Sequence, residues 1–196
     1  MNRNLIPTAA GELWMGGSPD YQDDTDLLDF DLNVNATFDQ PWPDPFGAGI
    51  YIRHVLSDSS GELDDEDTAE RTRAVASFIA GALTMGWRVH VHCTMGLNRS
   101  GVVVARALMY LGMSSDDAIA HVREHRTVRG SFNMPALFNR HFERWLLTED
   151  GSANTTPTEA ELEAVFAEEV ADRDRFGHDR NCAARTSRGR EVCDCG

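Results

Sequence analysis

The sequence predicts an α/β domain followed by an appendage of different composition. Short segments with alternating or continuous apolar residues, typical of strands, are interspersed with longer segments that carry apolar residues on one helical face. From about residue 148 the chain becomes polar and then arginine-rich. With 196 residues, of which 41% are hydrophobic, the chain is long enough to bury one sizeable core before that point.

Three strands are predicted in the first third of the chain. Residues 12–17, ELWMGG, are expected to form a short strand that ends in glycines, and residues 28–35, LDFDLNVN, alternate apolar with polar side chains. A loop with three prolines and two glycines, residues 36–49, separates them from a third strand over residues 50–58. The acidic stretch SSGELDDEDTAE then leads into the first helix.

Helices are predicted over residues 66–85, 101–113, 114–125 and 134–147, and the segment RVHVH between the first two is predicted to be a buried strand. The acidic start of the first helix suits the positive end of a helix dipole. Ser115 is the expected cap of the third helix. The order of these elements is that of a sheet covered by helices.

A cysteine loop, residues 93–98, joins the buried strand to the second helix. A strand that turns sharply into a helix aims main-chain N–H groups at one point, and the start of the helix adds partial positive charge. Such a turn is an anion site. Cys93 stands at its beginning, where a cysteine would be a thiolate and therefore a nucleophile.

The stretch HCTMGLNRS, His92–Ser100, matches the His-Cys-x5-Arg-Ser/Thr signature of cysteine-dependent phosphatases. Residues 5–147 resemble the dual-specificity branch of that superfamily, with ELWMGG and DLNVN similar to its first strands. The resemblance implies the cysteine phosphatase fold, a central, mostly parallel sheet flanked by helices, over residues 1–147. A linker (148–158) and an acidic helix with a Cys/Arg-rich tail (159–196) would follow.

The resemblance also implies roles for the residues of the signature. Cys93 would attack phosphorus, and Arg99 would hold two phosphate oxygens with its planar pair of donors. Ser100 would donate a hydrogen bond to the sulfur, and His92 would support the loop without transferring protons. The non-bridging oxygens would be held by main-chain N–H groups along Thr94, Met95, Gly96, Leu97 and Asn98.

The general acid is expected at Asp58, at the end of the strand that precedes the long helix and 35 positions before the cysteine. Asp64 and Asp65 are alternatives, because SSGELDDED has the length of an insertion. Asp44 is a third alternative, since it ends a Trp-Pro-Asp sequence like that of tyrosine phosphatases. It lies before the third strand, however, 49 positions from the cysteine.

The expected reaction is hydrolysis of phosphotyrosine, with phosphoserine and phosphothreonine left open, through a cysteinyl-phosphate intermediate and without a cofactor. The loop carries no basic residue besides its arginine, which disfavours inositol lipids. The pair Asn98-Arg99 also resembles RNA 5′-triphosphatases, although a net charge of −14 disfavours nucleic acid. A pseudophosphatase that binds phosphoproteins without turnover is the second alternative.

Composition and hydropathy predict the cellular location and the partner of the protein. The chain has no apolar run long enough for a bilayer and no apolar secretory segment near residue 1. We therefore expect a cytoplasmic monomer whose partner is a phosphorylated protein substrate.

Near the end of the chain, one imidazole and three thiols form the donor set of a structural zinc site: His178, Cys182, Cys193 and Cys195. An arginine-rich tail with incidental thiols is the alternative.

Overall fold

A computed structural model describes residues 3–18, 29–37, 49–128 and 134–150. The chain divides into two units, Met1–Pro157 and Thr158–Gly196, and every described residue belongs to the first. The acidic helix and tail predicted after residue 158 lie outside the described residues, as does most of the predicted linker.

A five-stranded sheet carries the domain, and its central strand ends at the cysteine loop. The strand order is β1-β2-β5-β3-β4. β5 pairs in parallel with β2 and β3, β3 pairs in parallel with β4, and β1 is an antiparallel edge. The expectation of a mostly parallel central sheet is thus confirmed. The bounds are β1 Arg3–Ile6, β2 Glu12–Gly16, β3 Leu32–Asn35, β4 Ile50–Arg53 and β5 Arg88–His92.

Two predicted strands were too long, and three strands were not predicted. The second and third predicted strands are reduced to β3 and β4, because ladder pairing begins at Leu32 and ends at Arg53. β1 was not predicted, since four residues give too short a pattern and only its last side chain, that of Ile6, is buried. A small hairpin adds β6 Thr127–Val128 and β7 Met134–Pro135.

In the part of the chain that the structure describes, four helices accompany the sheet: α1 Glu66–Thr84, α2 Arg99–Tyr110, α3 Ser115–His125 and α4 Arg140–Thr148. α2 packs against the other three and against β2 and β5, so it lies at the centre of the helix layer. Within the described ranges, no helix combines the length and apolar character needed to cross a bilayer.

Three helix starts differ from the sequence prediction, and that of α2 lies at Arg99, two residues before the predicted one. α4 begins at Arg140 rather than at residue 134, because the preceding residues form β7 and Leu137 has a φ of 55°, which a right-handed helix does not allow. The cap of α3 is Ser114, which accepts a hydrogen bond from Asp117 N–H. The hydroxyl of Ser115 instead donates to Asp150 at 2.7 Å.

The two faces of β5 differ in chemistry. Val91 and its neighbour Met15 on β2 are fully buried on the helix side, where the end of Met15 faces the start of α2. On the opposite side, the buried His90 ring stacks on Phe30 with 5.1 Å between centroids. Burial lowers the pKa of His90 well below its ordinary value, so this ring is neutral at physiological pH.

An ion cluster joins α1, α2 and the end of α4. Glu149 accepts two hydrogen bonds from Arg73, at 2.8 and 2.9 Å, and lies 3.4 Å from the guanidinium of Arg106. The side chains of Glu149 and Arg106 are only 7% and 2% exposed. The carboxylate of Glu149 is thus shared between the buried Arg106 and the half-buried Arg73.

We expect Glu149→Gln to lower the free energy of unfolding by about 3 kcal/mol, because it removes the carboxylate that pairs with the buried Arg106. Glu66→Gln is the matched control, since Glu66 also pairs with Arg73 but is 78% exposed, and it should cost less than about 1 kcal/mol. Denaturant unfolding of the full chain measures both. Equal losses would show that the cluster does not join the helices.

Candidate active site

Glycines allow the cysteine loop to lie directly against the end of β2. Gly96 has a φ of +68°, and a Cβ there would lie 2.1 Å from the carbonyl carbon of Gly16. The approach at Gly17 is less extreme, since its Cβ would lie 3.2 Å from the carbonyl oxygen of Thr94. A side chain at Gly96 would therefore push the loop away from the sheet. The tight approach at Gly17 favours a glycine at the end of ELWMGG.

Each carbonyl oxygen of the cysteine loop accepts a hydrogen bond from outside the loop. Ser18 binds the first two, with its hydroxyl at 3.5 Å and its N–H at 3.1 Å. The guanidinium of Arg126 binds the next two, at 3.2 and 2.8 Å. The last two accept from the N–H groups of Leu137 at 3.2 Å and Val102 at 2.8 Å. The loop thus has its acceptors satisfied on its outer side.

Cys93 N–H donates to the carbonyl of Gly16 at 3.3 Å, but the N–H groups after it are not bound to the surroundings in this way. Gly96 N–H donates to the sulfur of Cys93 at 3.2 Å. At the start of α2 the side chain of Asn98 makes no capping bond, so the first N–H groups of the helix stay available. In the described part of the chain no acceptor binds the N–H groups of Thr94, Met95, Leu97, Asn98 and Arg99. This arrangement is a main-chain anion site.

The sulfur of Cys93 lies at the base of this site. The residue is only 2% exposed, and its sulfur is 3.3 Å from the hydroxyl of Ser100 on the first turn of α2. Together with the N–H of Gly96, two donors can bind a negative sulfur. The arrangement can support a nucleophilic thiolate beside a bound oxyanion.

Arg99 supplies the side-chain cation of the site. One of its terminal nitrogens donates to the hydroxyl of Thr94 at 2.6 Å, which holds the guanidinium across the loop. Its Nε is buried and has no acceptor among the described residues. A buried guanidinium N–H without an acceptor is costly, so an anion in the loop would satisfy it.

His92 is buried beneath the loop and is 1% exposed. Its ring stacks on His90 with centroids 5.3 Å apart. Burial lowers the pKa of His92 to about 3, so the ring is neutral at physiological pH. A ring that stays neutral through that range does not serve as a titrating acid or base.

The acidic side chains before α1 have three different environments. The carboxylate of Asp58 accepts a hydrogen bond from the Asn98 side chain of the cysteine loop, with 3.0 Å between Nδ2 and Oδ2. Asp64 instead lies 3.2 Å from the imidazole of His141. Asp65 caps α1 by accepting from Thr68, and those hydrogen bonds lower its pKa. Asp58 is thus the carboxylate that contacts the loop, while Asp44 lies outside the described residues.

The residues between Asp58 and α1 form a compact turn. Glu62–Asp64 form a 3₁₀ turn that follows Gly61, and the side chain of Leu63 is buried within it. Glu62 accepts from the N–H of Ser57 at 3.1 Å, which closes the segment. This segment is therefore closed on itself between Asp58 and α1, and Asp58 stays in contact with the cysteine loop.

Two residues of the site were missed in the sequence. Arg126, at the end of α3, is 1% exposed and holds the carbonyls of Met95 and Gly96. Burial lowers its pKa below the usual value, and the charge of the nearby Cys93 acts in the opposite direction. Asn139, which precedes α4, also donates to Asp58, at 2.9 Å. No spacing distinguishes them from the other arginines and asparagines, because both contacts arise only in the folded chain.

The predicted zinc ligands, His178, Cys182, Cys193 and Cys195, lie outside the described residues. Within the described ranges, no three His, Cys, Asp or Glu side chains are grouped closely enough to bind a metal ion.

Comparison with known proteins finds one family. The family model for the dual specificity phosphatase catalytic domain matches residues 13–147. Protein phosphatase Slingshot homolog of Xenopus laevis is 33% identical over 100 residues, which are 50% of this chain and 13% of that protein. Dual specificity protein phosphatase 26 of Bos taurus is 33% identical over 104 residues, which are 52% of this chain and 45% of that protein. The matched stretch thus spans less than half of either relative.

The fold is also that of a solved structure. The crystal structure of human DUSP28 superposes with a TM-score of 0.58 and covers 76% of this chain and 94% of its own. The two sequences are 21% identical, so this likeness concerns the fold alone.

We expect Arg126→Met to weaken binding of inorganic phosphate by about tenfold or more, because each buried carbonyl left without a donor costs about 1–3 kcal/mol and the loop relaxes to find another. Calorimetric titration measures the affinity. Arg88→Met is the control, since Arg88 begins β5 at the end of the strand remote from the loop. Unchanged phosphate affinity in a folded Arg126→Met protein would contradict this role.

Proposed function

The chain belongs to the dual specificity phosphatase family, and we propose that it hydrolyses phosphate monoesters on proteins, phosphotyrosine in particular, through a phosphocysteine intermediate. The observation that carries this proposal is the convergence of unused main-chain N–H groups and the Arg99 guanidinium around the sulfur of Cys93. A tetrahedral dianion has the charge and the acceptors that such a site lacks.

In the first step the Cys93 thiolate attacks phosphorus, and the sulfur–phosphorus bond forms as the bond to the ester oxygen breaks. That oxygen takes a proton from the Asp58 carboxyl group and leaves as an alcohol or phenol. The loop N–H groups and Arg99 hold the three non-bridging oxygens, whose charge is redistributed in the transition state. His92 takes no part in the proton transfers, in keeping with its lowered pKa.

In the second step water attacks the phosphocysteine. Asp58, now a carboxylate, accepts a proton from that water, and the sulfur leaves as a thiolate. The hydroxyl of Ser100, 3.3 Å from the sulfur, is positioned to donate a hydrogen bond to the departing charge. Protons and electrons balance over the two steps without a metal ion.

The contacts of Asn98 bear on the RNA 5′-triphosphatase alternative. The Asn98-Arg99 pair was the feature that favoured it, but the Asn98 side chain is 3% exposed and engaged with Asp58 and Asn139. Its identity is therefore accounted for without an RNA substrate. A net charge of −14 also opposes a polyanionic ligand.

Other parts of the proposal concern the rest of the chain. We retain the division into a catalytic domain of residues 1–147, a linker of 148–158 and a tail of 159–196. A structural zinc ion bound by the tail stays a prediction, as do the monomeric state and the cytoplasmic location. Catalysis in the first domain does not depend on any of them.

We expect Cys93→Ser to abolish hydrolysis of phosphopeptides while phosphate still binds, because the variant loses the nucleophile and keeps the N–H groups. Release of phosphate from phosphotyrosine, phosphoserine and phosphothreonine peptides, and from triphosphate-ended RNA, measures turnover and ranks the substrates. Full turnover by Cys93→Ser would refute the mechanism. Absence of turnover in the wild type would favour the pseudophosphatase alternative.

We expect Asp58→Asn to slow hydrolysis of phosphotyrosine peptides by about 10²–10⁴-fold, because the ester oxygen then leaves without a proton. Aryl phosphates with acidic leaving groups should be affected less. Asp64→Asn is the matched control, since Asp64 contacts His141 instead of the loop, and its rate should be near normal. A severe defect in Asp64→Asn with a mild one in Asp58→Asn would assign the acid to Asp64.

A further inference from the structure

We propose that Asn139 is a positioning residue that, together with Asn98, holds the carboxyl group of Asp58 in its working orientation before a substrate binds. The inference rests on the proposed function, since it concerns the acid of that reaction. Asn139 lies outside the cysteine loop and precedes α4, so the inference gives the segment before α4 a role in the reaction.

The two amides together bind both oxygens of the carboxylate. Asn98 Nδ2 lies 3.0 Å from Asp58 Oδ2, and Asn139 Nδ2 lies 2.9 Å from Oδ1. One hydrogen bond would leave the carboxylate free to rotate about its own axis. Two donors on different oxygens define both the position and the plane of the group.

The orientation of each amide is set independently of Asp58. Asn139 Oδ1 accepts from the N–H of His141 at 3.0 Å, which is the capping bond of α4. Asn98 Oδ1 accepts from the N–H of Asn139 at 3.1 Å. Because both amide oxygens are bound to main-chain donors, both NH₂ groups must face the carboxylate. The donors are thus in place whether or not Asp58 is present.

Asp58 needs such support more than a buried acid would. It is solvent-exposed and stands at the beginning of the inserted segment, where its side chain could adopt several rotamers. Ordering a side chain at each turnover has an entropic cost, and a misplaced acid loses much of its effect. Hydrogen bonds to the half-buried Asn139 and the buried Asn98 order the Asp58 side chain when the protein folds, so its entropy is not lost again at each turnover.

Proton transfer is compatible with this arrangement. Each carboxyl oxygen has two lone-pair positions, and each amide occupies one of them. A position therefore remains for the proton that passes to the leaving oxygen as the phosphorus–oxygen bond breaks. After that step both amides still bind the carboxylate, which is ready to accept the proton of the attacking water.

Substitution can separate the two roles of Asn139, which are to cap α4 and to donate a hydrogen bond to Asp58. Serine and threonine both keep an oxygen that caps α4, but neither carries an NH₂ group that can donate to Asp58. Asn139→Ser and Asn139→Thr should therefore leave the helix start intact while removing the donor, and neither adds a charge beside Asp58. If one variant folds poorly in a thermal melt, the other still tests the inference.

The experiment measures kcat and KM of the full chain for a series of aryl phosphates that differ in leaving-group pKa. We expect Asn139→Ser to lower kcat about tenfold for phenyl phosphate, to leave a dinitrophenyl phosphate within about twofold, and to change KM little. In an Asp58→Asn background the same substitution should have no further effect, because the acid it positions is gone. Asp64→Asn should keep the wild-type dependence on the leaving group.

The outcomes separate this inference from the proposed function. Equal slowing of every substrate by both Asn139 variants, or an undiminished effect in the Asp58→Asn background, would overturn positioning and leave the phosphatase intact. Wild-type dependence on the leaving group in both variants would do the same. A wild-type protein without Cys93-dependent hydrolysis would overturn the proposed function, and this inference with it.

Discussion

The cysteine loop can turn its N–H groups towards one point only if its carbonyl oxygens find donors on the other side. Much of the structure provides those donors. They come from Ser18 shortly after β2, from Arg126 at the end of α3, from the segment before α4 and from the first turn of α2. The central position of β5 is what makes this possible, because a loop that follows a central strand has neighbours on both sides.

Charge in the site is confined to the groups that the chemistry uses. The histidines nearest the loop are buried and neutral, and burial likewise lowers the pKa of His54 to about 4. Arg126 is the exception, a buried cation beneath the loop, and each of its three guanidinium nitrogens donates a hydrogen bond to the loop or to Asn4. This buried cation thus serves to hold the carbonyl oxygens of the loop.

The sequence predicted the parts of the site that are local. The spacing from Cys93 to Arg99 and Ser100 is set within one loop and one helical turn, so residue types and order were sufficient. Asp58 could be preferred but not separated from its acidic neighbours, because the choice depends on how the inserted segment folds and on Leu63 closing it. Asn139 acts from 81 residues away along the chain, and no pattern in a single sequence encodes that contact. The predicted start of α4 failed for a related reason, since hairpin pairing overrode helical periodicity.

The edge strand β1 has a consequence for handling the protein. Its Asn4 accepts a hydrogen bond of 2.6 Å from the same guanidinium that holds the cysteine loop. The strand is short, antiparallel and partly exposed, with Leu5 at 45% exposure, so a change that displaces it reaches the cysteine loop through Arg126. A protein in which β1 has left the sheet would keep every group named in the reaction. It would nevertheless hold its oxyanion less well, and two batches that differ in activity should be compared for the integrity of this strand.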